Sequence, residues 1–309
     1  MNHSSHKRRY PWQLAVITGA ASGIGRCFAE ALAADGCGLV LIDRNEITLP
    51  VCNEGIVSLD TPQLVGTCHG MSAPSSKVQP TTGSQSGHAM ACPYSSTEPL
   101  IHTMQLDLTE ADAADKVMAY LDAEGLQPDL LINNAGIFDF KAVNDLTPRR
   151  IDTYIDLHMR AVTHLSRLMA MRMAVNGGGS ILNMSSMSCW MPMPGIALYS
   201  ATKAYIRVFS RALDVEMRDS GVNVTVACPG GIATDLFGLP RNLQRLGVRV
   251  GALTTPDKFV RNALRRCMRR KPQYINGLLN RIAIPAVAML PRGARHMIKT
   301  KLLDRNNKQ

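Results

Sequence analysis

The sequence has no apolar run long enough to cross a bilayer. The longest run near its end, Ile282–Leu290, has about half the length that a membrane-spanning helix needs, and it contains a proline. At the other end, a basic start passes into an apolar run that stops after about six residues at a glycine-rich turn, unlike the hydrophobic region of a secretory signal. We therefore expect a soluble, cytoplasmic protein.

The cysteines lack the clustered spacing of a disulfide framework. Eight of them are spread over 309 residues, and several lie within apolar runs, where cysteine behaves as a small hydrophobic residue. We expect reduced thiols, as in a cytosolic compartment. Two Cys/His pairs, Cys68-His69 and His88-x-x-x-Cys92, do not have the spacing of a common zinc finger, so no metal is expected.

Acidic residues are nearly absent from the last part of the chain. Residues 241–309 contain 17 of the 34 Lys and Arg residues but 2 of the 24 Asp and Glu residues. Such an excess of positive charge is either a solvated face or a site for an anionic surface or ligand. Because residues 276–309 also contain many Leu, Ile and Met, we predict a basic amphipathic extension. It would associate peripherally with an anionic membrane, or bind a phosphate-bearing acyl carrier or coenzyme A. Aromatic residues are scarce there, so nucleic acid is not an expected partner.

Segments rich in Val, Ile and Leu alternate along the chain with helical patterns. This alternation predicts an α/β protein with a doubly wound parallel sheet of about seven strands and helices on both faces. The predicted strands are Gln13–Thr18, Gly38–Asp43, Ile101–Leu106, Asp129–Asn133, Gly179–Met184, Val222–Cys228 and Gln273–Ile275. The predicted helices lie near 24–34, 110–124, 148–175, 198–219 and 256–270. Ligands of such sheets bind at the carboxyl ends of the strands.

One stretch interrupts the single domain that we predict over residues 10–275. Residues 49–100 are rich in Ser, Thr, Pro and Gly and show no helical period, although a crossover helix is expected at this point of a doubly wound fold. We interpret the stretch as an inserted, largely disordered excursion that replaces or displaces that helix.

A glycine-rich turn follows the first strand and opens the first helix. The segment Thr18–Gly25 reads TGAASGIG, with the spacing G-x-x-x-G-x-G. Gly19 permits a tight turn, Gly23 lets the backbone approach a pyrophosphate, and Gly25 allows close packing of the helix against the strand. The free N–H groups of the helix terminus add an anion site. In this context the turn predicts a dinucleotide cofactor.

The end of the second strand indicates which dinucleotide binds. An acid such as Asp43 accepts hydrogen bonds from an adenosine ribose 2′-OH and repels a 2′-phosphate, which favours NAD. NADP stays open, because the neighbouring Arg44 is able to receive a 2′-phosphate. Alternatively, the Asp43 side chain only caps the turn that follows the strand. Asp107, after the third strand, is placed to meet an adenine amino group.

These features, together with four further motifs, resemble the short-chain dehydrogenase/reductase superfamily. The motifs are NNAG at 133–136, ILNMSS at 181–186, YSATK at 199–203 and PGGIAT at 229–234. The resemblance runs from about residue 12 to residue 272 without the insertion, and the end of the chain is similar to bacterial members of unsettled substrate. It implies a Rossmann-like fold, NAD(P)-dependent interconversion of a secondary alcohol and a ketone, and a homo-oligomer.

The resemblance also implies roles for individual residues. Tyr199 would be the general acid/base, Lys203 would lower the pKa of its phenol and hold the nicotinamide ribose, and Ser186 would bind the substrate oxygen. A phenol titrates near ~10, so its use near pH 7 requires about 4 kcal/mol of differential stabilisation. The cofactor-binding residues that the resemblance implies are Thr18, Gly19, Ser22, Gly23, Ile24, Gly25, Asp43, Arg44, Asp107, Leu108, Asn134, Ala135, Gly136, Tyr199, Lys203, Pro229, Gly230, Ile232 and Thr234.

The chain departs from the family pattern at His158. The family usually has an asparagine here, on the long helix before the catalytic serine, where it supports a water chain that relays protons to the lysine. A histidine donates and accepts hydrogen bonds and titrates near neutral pH. His158 therefore supports the relay with a different pH response, blocks it, or only packs in the core. If it blocks the relay, the protein is a nucleotide-binding scaffold or sensor with weak turnover.

The segment between the serine and the tyrosine is rich in apolar, flexible side chains. Because methionine suits adaptable pockets, they predict a lipophilic ketone or alcohol as substrate, of sterol or acyl type. The alternative is that they pack in the core or at a subunit contact. We expect residues 235–255 to form a mobile lid over the cleft. The apolar residues are Met184, Met187, Trp190, Met191, Met193, Ile196 and Leu198.

Overall fold

The computed structural model describes residues 8–48, 56–58, 100–232 and 253–306. The strands in these ranges are β1 Leu14–Thr18, β2 Gly38–Asp43, β3 Ile56–Ser58, β4 Ile101–Gln105, β5 Leu130–Asn133, β6 Gly179–Met184, β7 Val222–Cys228 and β8 Gln273–Ile275. They form one sheet in the order β3-β4-β2-β1-β5-β6-β7-β8. Every neighbouring pair is parallel, so the predicted doubly wound α/β sheet is confirmed.

Helices connect the strands of this sheet. They are α1 Gly23–Ala33, α2 Ala113–Ala123, α3 Pro148–Ile155, α4 Val162–Val175, α5 Ala197–Glu216, α6 Pro256–Met268, α7 Leu278–Ala288 and α8 Arg292–Asn306. The helix predicted over 148–175 is interrupted, because residues Asp156–Ala161 between α3 and α4 form a π-helical segment. Such wider turns are rare and occur frequently at functional sites.

Strand β3 corrects one sequence expectation. Residues 56–58 lie inside the predicted excursion, yet they pair in parallel with β4 and add an eighth strand at the edge of the sheet. A run of three residues is too short to show a strand pattern in the sequence. The rest of the predicted excursion, 49–55 and 59–99, lies outside the described residues, as do the two Cys/His pairs.

The two faces of the sheet are covered by different helices. In β1, Ala15 and Ile17 belong to an apolar cluster with α1 and α6, whereas Leu14 and Val16 belong to a second cluster with α2 and α4. Successive side chains of a strand point to opposite faces, so a strand buried on both faces is apolar without alternation. This burial explains the continuous apolar runs that predict the strands.

The strand order places the ligand crevice. The chain passes from β1 outward through β2 to β4 on one side, and returns to build β5 to β8 on the other side. The switch point of the sheet is therefore between β1 and β5, whose loops separate at their carboxyl ends and open a crevice there. The glycine turn follows β1, and the NNAG motif begins in β5.

The start of the predicted C-terminal extension has buried residues. Asn276 is 1% exposed and Ile284 of α7 is also buried, so this part of the chain packs against its neighbours. Arg281, Arg292 and Lys299 are exposed, as the prediction of a basic surface requires. Within the described ranges, no helix combines the length and the apolar character that crossing a membrane requires.

Candidate active site

A cavity of about 1000 Å³ opens at the switch point of the sheet. Its walls come from the loops that follow β1, β2, β4, β5, β6 and β7 and from the first turns of α5. Seventeen of the predicted site residues line it: Gly19, Ser22, Gly23, Ile24, Asp43, Arg44, Asp107, Leu108, Asn134, Ala135, Gly136, Ser186, Tyr199, Lys203, Pro229, Gly230 and Ile232. Residues that are far apart in the sequence thus meet around one space.

The glycine turn has the shape that a dinucleotide requires. Gly19 has φ +67° and Gly23 has φ +56°, a left-handed conformation that favours glycine. A Cβ on Gly25 would lie 2.0 Å from the carbonyl oxygen of Gly19, so α1 approaches the turn too closely for any side chain. A Cβ on Gly23 would meet no atom within 4 Å. The turn therefore offers bare backbone to open space, which fits a pyrophosphate.

Thr18 and Asn134 fasten the glycine turn to the NNAG loop. The Thr18 Oγ1 accepts hydrogen bonds from the backbone N–H groups of Asn134 and Ala135, at 3.0 and 3.1 Å. The Asn134 side chain donates in return to the carbonyl oxygens of Thr18 and Gly19, both at 3.1 Å. The loops after β1 and β5 are thereby held in one fixed arrangement beside the cavity.

The Asp43 carboxylate faces the same cavity from the end of β2. Its oxygens accept hydrogen bonds from the backbone N–H groups of Ala21, at 3.1 Å, and Asn45, at 2.9 Å. These bonds cap the loop and also fix the carboxylate beside the glycine turn, so the two roles considered for Asp43 coexist. Arg44 is exposed at the rim.

Tyr199, Ser186 and Lys203 converge at the inner end of the cavity. The Lys203 Nζ donates to the carbonyl oxygen of Met184 at 3.0 Å, and the Ser185 Oγ donates to the carbonyl oxygen of Lys203 at 2.7 Å. These bonds hold the first turns of α5 against the end of β6. The Ser186 side chain lies close enough to the Tyr199 hydroxyl to lower the pKa of the phenol, and the Lys203 Nζ lies 5.8 Å from the centre of the Tyr199 ring.

Burial dominates the electrostatics of this pair in the protein alone. It raises the pKa of Tyr199 to about 12, although the nearby Ser186 side chain opposes the rise. Burial also lowers the pKa of Lys203 to about 8. Both shifts have the same physical cause, because a charged phenolate and a charged ammonium lose hydration in the same enclosed space. In the protein alone the phenol is therefore protonated at neutral pH, and Lys203 by itself does not acidify it.

His158 is fixed by two hydrogen bonds on the π-helical segment and is fully buried. Its Nε2 accepts from the backbone N–H of Ile137 at 3.1 Å. Its Nδ1 therefore carries the proton and donates to the Thr202 Oγ1 at 3.0 Å, while that hydroxyl donates to the carbonyl oxygen of Tyr199. Burial, and then the charges of Lys203 and Arg150, lower the pKa of His158 well below its usual value.

In this geometry His158 holds neighbouring elements in place, and its predicted part in catalysis stays a prediction. Its ring does not line the cavity. Both of its nitrogens are used to tie the loop after β5 to α5, which carries the reactive side chains. The π-helical segment places the ring between these two elements and against the Tyr199 ring, at 6.0 Å between centres.

Three of the predicted cofactor contacts are not among the residues that line the cavity. Thr18 and Gly25 do not reach the cavity, because Thr18 lies behind its wall and Gly25 supports the glycine turn from within α1. Thr234 and most of the predicted lid, 235–255, lie outside the described residues. The apolar residues that were predicted to bind substrate lie in two places. Met184 lines this cavity, whereas Trp190, Met191 and Met193 line a separate one.

Two asparagines that the sequence did not single out support the floor of the site. The Asn276 Oδ1 accepts from the backbone N–H of Gly230 at 2.6 Å, and its Nδ2 donates to the Thr254 Oγ1 at 3.0 Å. A Cβ on Gly230 would lie 2.1 Å from the side chain of Asn280. The segment INGLLN at 275–280 contains both residues, but nothing in its pattern shows which loop they hold.

A buried polar ladder lies behind the reactive residues. The Asn133 Nδ2 of β5 donates to the Asn183 Oδ1 of β6 at 2.8 Å, and the Asn183 Nδ2 donates to the Ser210 Oγ of α5 at 2.9 Å. Buried amides need such partners, and here they lock β5, β6 and α5 in one register. The first asparagine of NNAG thus has a structural role.

Comparisons with known proteins agree with this geometry. The family model described as short chain dehydrogenase matches residues 13–77 and 65–242. The chain is 29% identical over 255 residues to 17-beta-hydroxysteroid dehydrogenase type 3 of Mus musculus, covering 82% of this chain and 68% of that protein. It is 30% identical over 262 residues to the very-long-chain 3-oxoacyl-CoA reductase of Bos taurus, covering 82% and 69%.

The solved structure of 4-hydroxyisoleucine dehydrogenase complexed with NADH has the same fold, with a TM-score of 0.64. Its sequence identity is 22%, over 85% of this chain and 96% of that one. The motifs, the sheet order and the family match lead to one conclusion: the chain belongs to the short-chain dehydrogenase family of oxidoreductases.

Proposed function

We propose that this protein interconverts a lipophilic secondary alcohol and its ketone with NAD as coenzyme and Tyr199 as the general acid/base. The observation that carries the proposal is the convergence of Tyr199, Ser186 and Lys203 at the inner end of a cavity whose outer part is lined by the glycine turn. A bound nicotinamide coenzyme supplies or accepts the hydride in this reaction.

The chain's own residues provide the proton and the orientation. The hydroxyls of Ser186 and Tyr199 both donate to the carbonyl oxygen of a ketone, and Tyr199 transfers its proton to that oxygen as the alcohol forms. Lys203 brings the nearby positive charge that favours the phenolate left behind. Burial raises the pKa of Tyr199 to about 12 in the protein alone, so the phenol holds the proton that ketone reduction needs at neutral pH, and only the reverse reaction requires this pKa to be lowered.

Asp43 supports NAD rather than NADP. Its carboxylate is fixed at the cavity wall by two backbone N–H groups, where it would repel a 2′-phosphate. Fluorescence titrations with NADH and NADPH test this assignment. We expect tighter NADH binding in the wild type, and in Asp43→Asn a gain of about tenfold in NADPH affinity, since one repulsive charge is removed at close range. Equal affinities in both proteins would contradict it.

The walls near Tyr199 support an apolar substrate. Ile137, Leu157, Met184 and Ile232 line the cavity on the side of the reactive residues. The names of the mouse and cattle relatives indicate a hydroxysteroid and a very-long-chain 3-oxoacyl-CoA, respectively. A ketone of steroid or acyl type therefore fits the walls better than a sugar or a small polar ketone.

Oxidation of NADH at 340 nm, followed with a panel of ketones, tests the reaction. We expect turnover with a 17-ketosteroid or a medium-chain 3-oxoacyl thioester and far slower turnover with dihydroxyacetone. Coenzyme binding without turnover of any apolar ketone or alcohol would overturn the proposal. That result would instead favour a nucleotide-binding scaffold or sensor, which the commitment of both His158 nitrogens to structural bonds supports.

The C-terminal helices support a peripheral association with anionic membranes. Ile282, Met289 and Met297 are 60%, 81% and 54% exposed, and the exposed Arg292 and Lys299 accompany them. Apolar side chains flanked by cations are typical of interfacial helices. Flotation with liposomes containing phosphatidylserine should recover the protein at low salt but not at high salt. Absence from the floated fraction at low salt would end this proposal.

Exposed apolar side chains on α4 and α5 support a homo-oligomer. Met171 and Val175 of α4 are 53% and 84% exposed, and Val208 and Val215 of α5 are 59% and 64% exposed. Such neighbouring patches mark contact surfaces. Light scattering should give a mass of at least two chains, and Val208→Glu should reduce it. A monomer at micromolar concentration would contradict this.

A further inference from the structure

An ion pair joins helix α3 to the loop that follows β5. The Arg150 Nε donates to the Asp139 Oδ2 at 2.6 Å, and the two side chains are 34% and 24% exposed. Arg150 lies in the first turn of α3, where its backbone N–H donates to the Thr147 Oγ1 at 3.2 Å. We call Arg150 and Asp139 the α3 clasp, because the pair sets where the loop lies relative to the helix.

The loop side of the α3 clasp leads to the ring of Tyr199. Phe138 precedes Asp139, and its ring meets the Tyr199 ring edge to face, with 5.0 Å between the centres and 88° between the planes. This is a preferred arrangement of two aromatic rings. Farther along the loop, the backbone N–H of Lys141 donates to the carbonyl oxygen of Gly195 at 2.9 Å, just before α5. A displacement of Asp139 would therefore move Phe138 and free one side of the Tyr199 ring.

The helix side of the α3 clasp leads to the same ring. The Arg150 guanidinium lies over the Tyr154 ring, 5.6 Å from its centre, where a cation is attracted to the aromatic face. The buried Tyr154 ring meets the His158 ring at 5.3 Å and 89°. The His158 ring in turn meets the Tyr199 ring at 6.0 Å and 69°. Phe138 and His158 thus both contact the Tyr199 ring, and each is connected to the clasp.

The two routes are also joined to each other. The backbone N–H of Ile137, in the loop, donates to the His158 Nε2 at 3.1 Å, so the contacts form a closed ring from the clasp to Tyr199 and back. An ion pair that is partly exposed contributes little to stability. The α3 clasp is therefore suited to orienting its neighbours rather than to holding the fold together.

We propose that the α3 clasp positions Tyr199, because it holds the two rings that flank the phenol and so fixes the direction of the hydroxyl. The inference rests on the proposed function, in which Tyr199 gives its proton to the substrate oxygen. That transfer requires the hydroxyl to lie within hydrogen-bond reach of the oxygen, and a displacement of about 1 Å lowers a rate about 100-fold. Neither Arg150 nor Asp139 lines the large cavity, so both act through Tyr199.

Steady-state kinetics of Arg150→Ala and Asp139→Asn test the positioning role. We expect kcat for ketone reduction to fall by at least about tenfold. The dissociation constant of NADH should change less than about twofold, and the melting temperature by less than about 3 °C, because a partly exposed pair adds little stability. Arg150→Lys keeps a cation beside Tyr154 and should recover most of the lost kcat. The double variant should lose no more than either single variant, since each removes the same pair.

The matched control is Arg160→Ala. Arg160 forms an ion pair with Asp156 at 2.7 Å, and these side chains are 43% and 19% exposed, close to the values of the clasp. The control pair lies within the π-helical segment itself and does not join it to the loop after β5. Arg160→Ala should therefore keep the wild-type kcat.

A second measurement reports on the ring without turnover. In protein labelled with 3-fluorotyrosine, the fluorine NMR signal of Tyr199 is identified by its loss in Tyr199→Phe. We expect this signal to shift or broaden by more than its line width in Arg150→Ala and in Asp139→Asn, because the flanking rings move. It should stay in place in Arg160→Ala.

The outcomes separate the positioning role from the proposed function. Retention of kcat in both clasp variants of an active enzyme would overturn the positioning role and leave the proposed function standing. An equal loss in Arg160→Ala, or a parallel loss of NADH affinity and melting temperature, would also overturn it, since the effect would then be structural.

A wild type that reduces no ketone would contradict the proposed function, and the fluorine signal would then decide about the α3 clasp. An unchanged Tyr199 signal in both clasp variants would overturn the positioning role in that case. If Arg150→Ala does not fold, the nearly isosteric Asp139→Asn decides by the same criteria.

Discussion

The two sides of helix α5 show how differently one element can be used. On the side of Tyr199 and Lys203, the polar groups are tied into a network with Met184, Ser185 and His158. On the opposite side, the buried Ser200 Oγ has no hydrogen-bond partner in the part of the chain that the structure describes. The polar groups of the first side are held by other groups of the protein, whereas a buried hydroxyl on the second side is left unpaired.

The difference shows which features of the helix a sequence pattern can predict. The reactive side follows a spacing, Y-x-x-x-K, because a helix brings residues four apart onto one face. The opposite side of α5 is lined by alanines, serines and an arginine from a distant helix. These residues come together only when the C-terminal helices pack against residues 187–190, so no local sequence pattern predicts this surface.

Tyr199→Phe makes the sharpest test of the reactive side. A positioned acid/base contributes about 10²–10⁴-fold to the rate, so we expect turnover to fall by that factor while NADH affinity changes little. The matched control is Tyr205→Phe on the same helix, whose hydroxyl contacts Thr163 at 2.7 Å instead of the cavity. Equal losses in the two variants, measured at 340 nm, would mean that the helix is merely disturbed.

Lys203→Met removes the charge from the same side. The pKa of Lys203 is about 8 in the folded protein and near its ordinary 10.5 when unfolded, so between these values the unfolded chain binds more protons. The free energy of unfolding of the wild type should therefore rise by up to about 3 kcal/mol from pH 8 to 10.5. The variant should lack this rise and bind NADH more weakly. Parallel urea denaturation curves measure the difference, and identical pH profiles would refute it.

His158→Asn tests the link between the network and the loop after β5. The folded pKa of His158 is depressed by burial, so below pH 6.5 the unfolded chain binds a proton that the folded protein does not bind. Wild-type stability should therefore fall as the pH drops from 6.5 to 5, and the variant should be less sensitive.

The control for this change is His164→Asn, an exposed histidine of α4, which should keep the wild-type acid response. Lower stability of His158→Asn at pH 7.5 would agree with the loss of its two hydrogen bonds. A rise in turnover in His158→Asn would instead mean that the histidine blocks a proton relay, against the positioning role.

The smallest effect compares two serines of α5. The Ser210 Oγ accepts from Asn183 and donates to the carbonyl oxygen of Ile206, so Ser210→Ala should cost about 1–3 kcal/mol by leaving a buried amide unpaired. Ser200→Ala should cost nothing or stabilise the free protein slightly. Thermal melts separate the two, and a similar loss at both positions would show that Ser200 has a partner within the protein.

Much of the fold was predictable because burial on both sheet faces leaves a continuous apolar signal. The strands predicted at 38–43, 179–184 and 222–228 are those observed. Strand β3 was missed, since three residues at a sheet edge carry too little pattern. The π-helical segment was also missed, because one wider turn inside a helix leaves no separate pattern in the sequence.

The residues that line the cavity were predicted where glycine or a fixed spacing is required, and less well where distant residues provide support. The glycine turn, Asp43 and the Tyr199/Lys203 pair follow local rules. The Asn276 contact with Gly230 spans 46 residues and leaves no local trace. The acidification of Tyr199, expected from Lys203 together with a bound nicotinamide, stays a prediction. Sequence spacing reports that a lysine is near but not that both groups are desolvated.

The structure of the protein with NADH bound tests the central claim most directly. The account predicts that the nicotinamide end lies at the inner end of the large cavity, with the Lys203 ammonium and the Tyr199 hydroxyl both within hydrogen-bonding distance of the ribose. A coenzyme that binds with this end outside the cavity, or with Tyr199 turned away from it, would contradict the account.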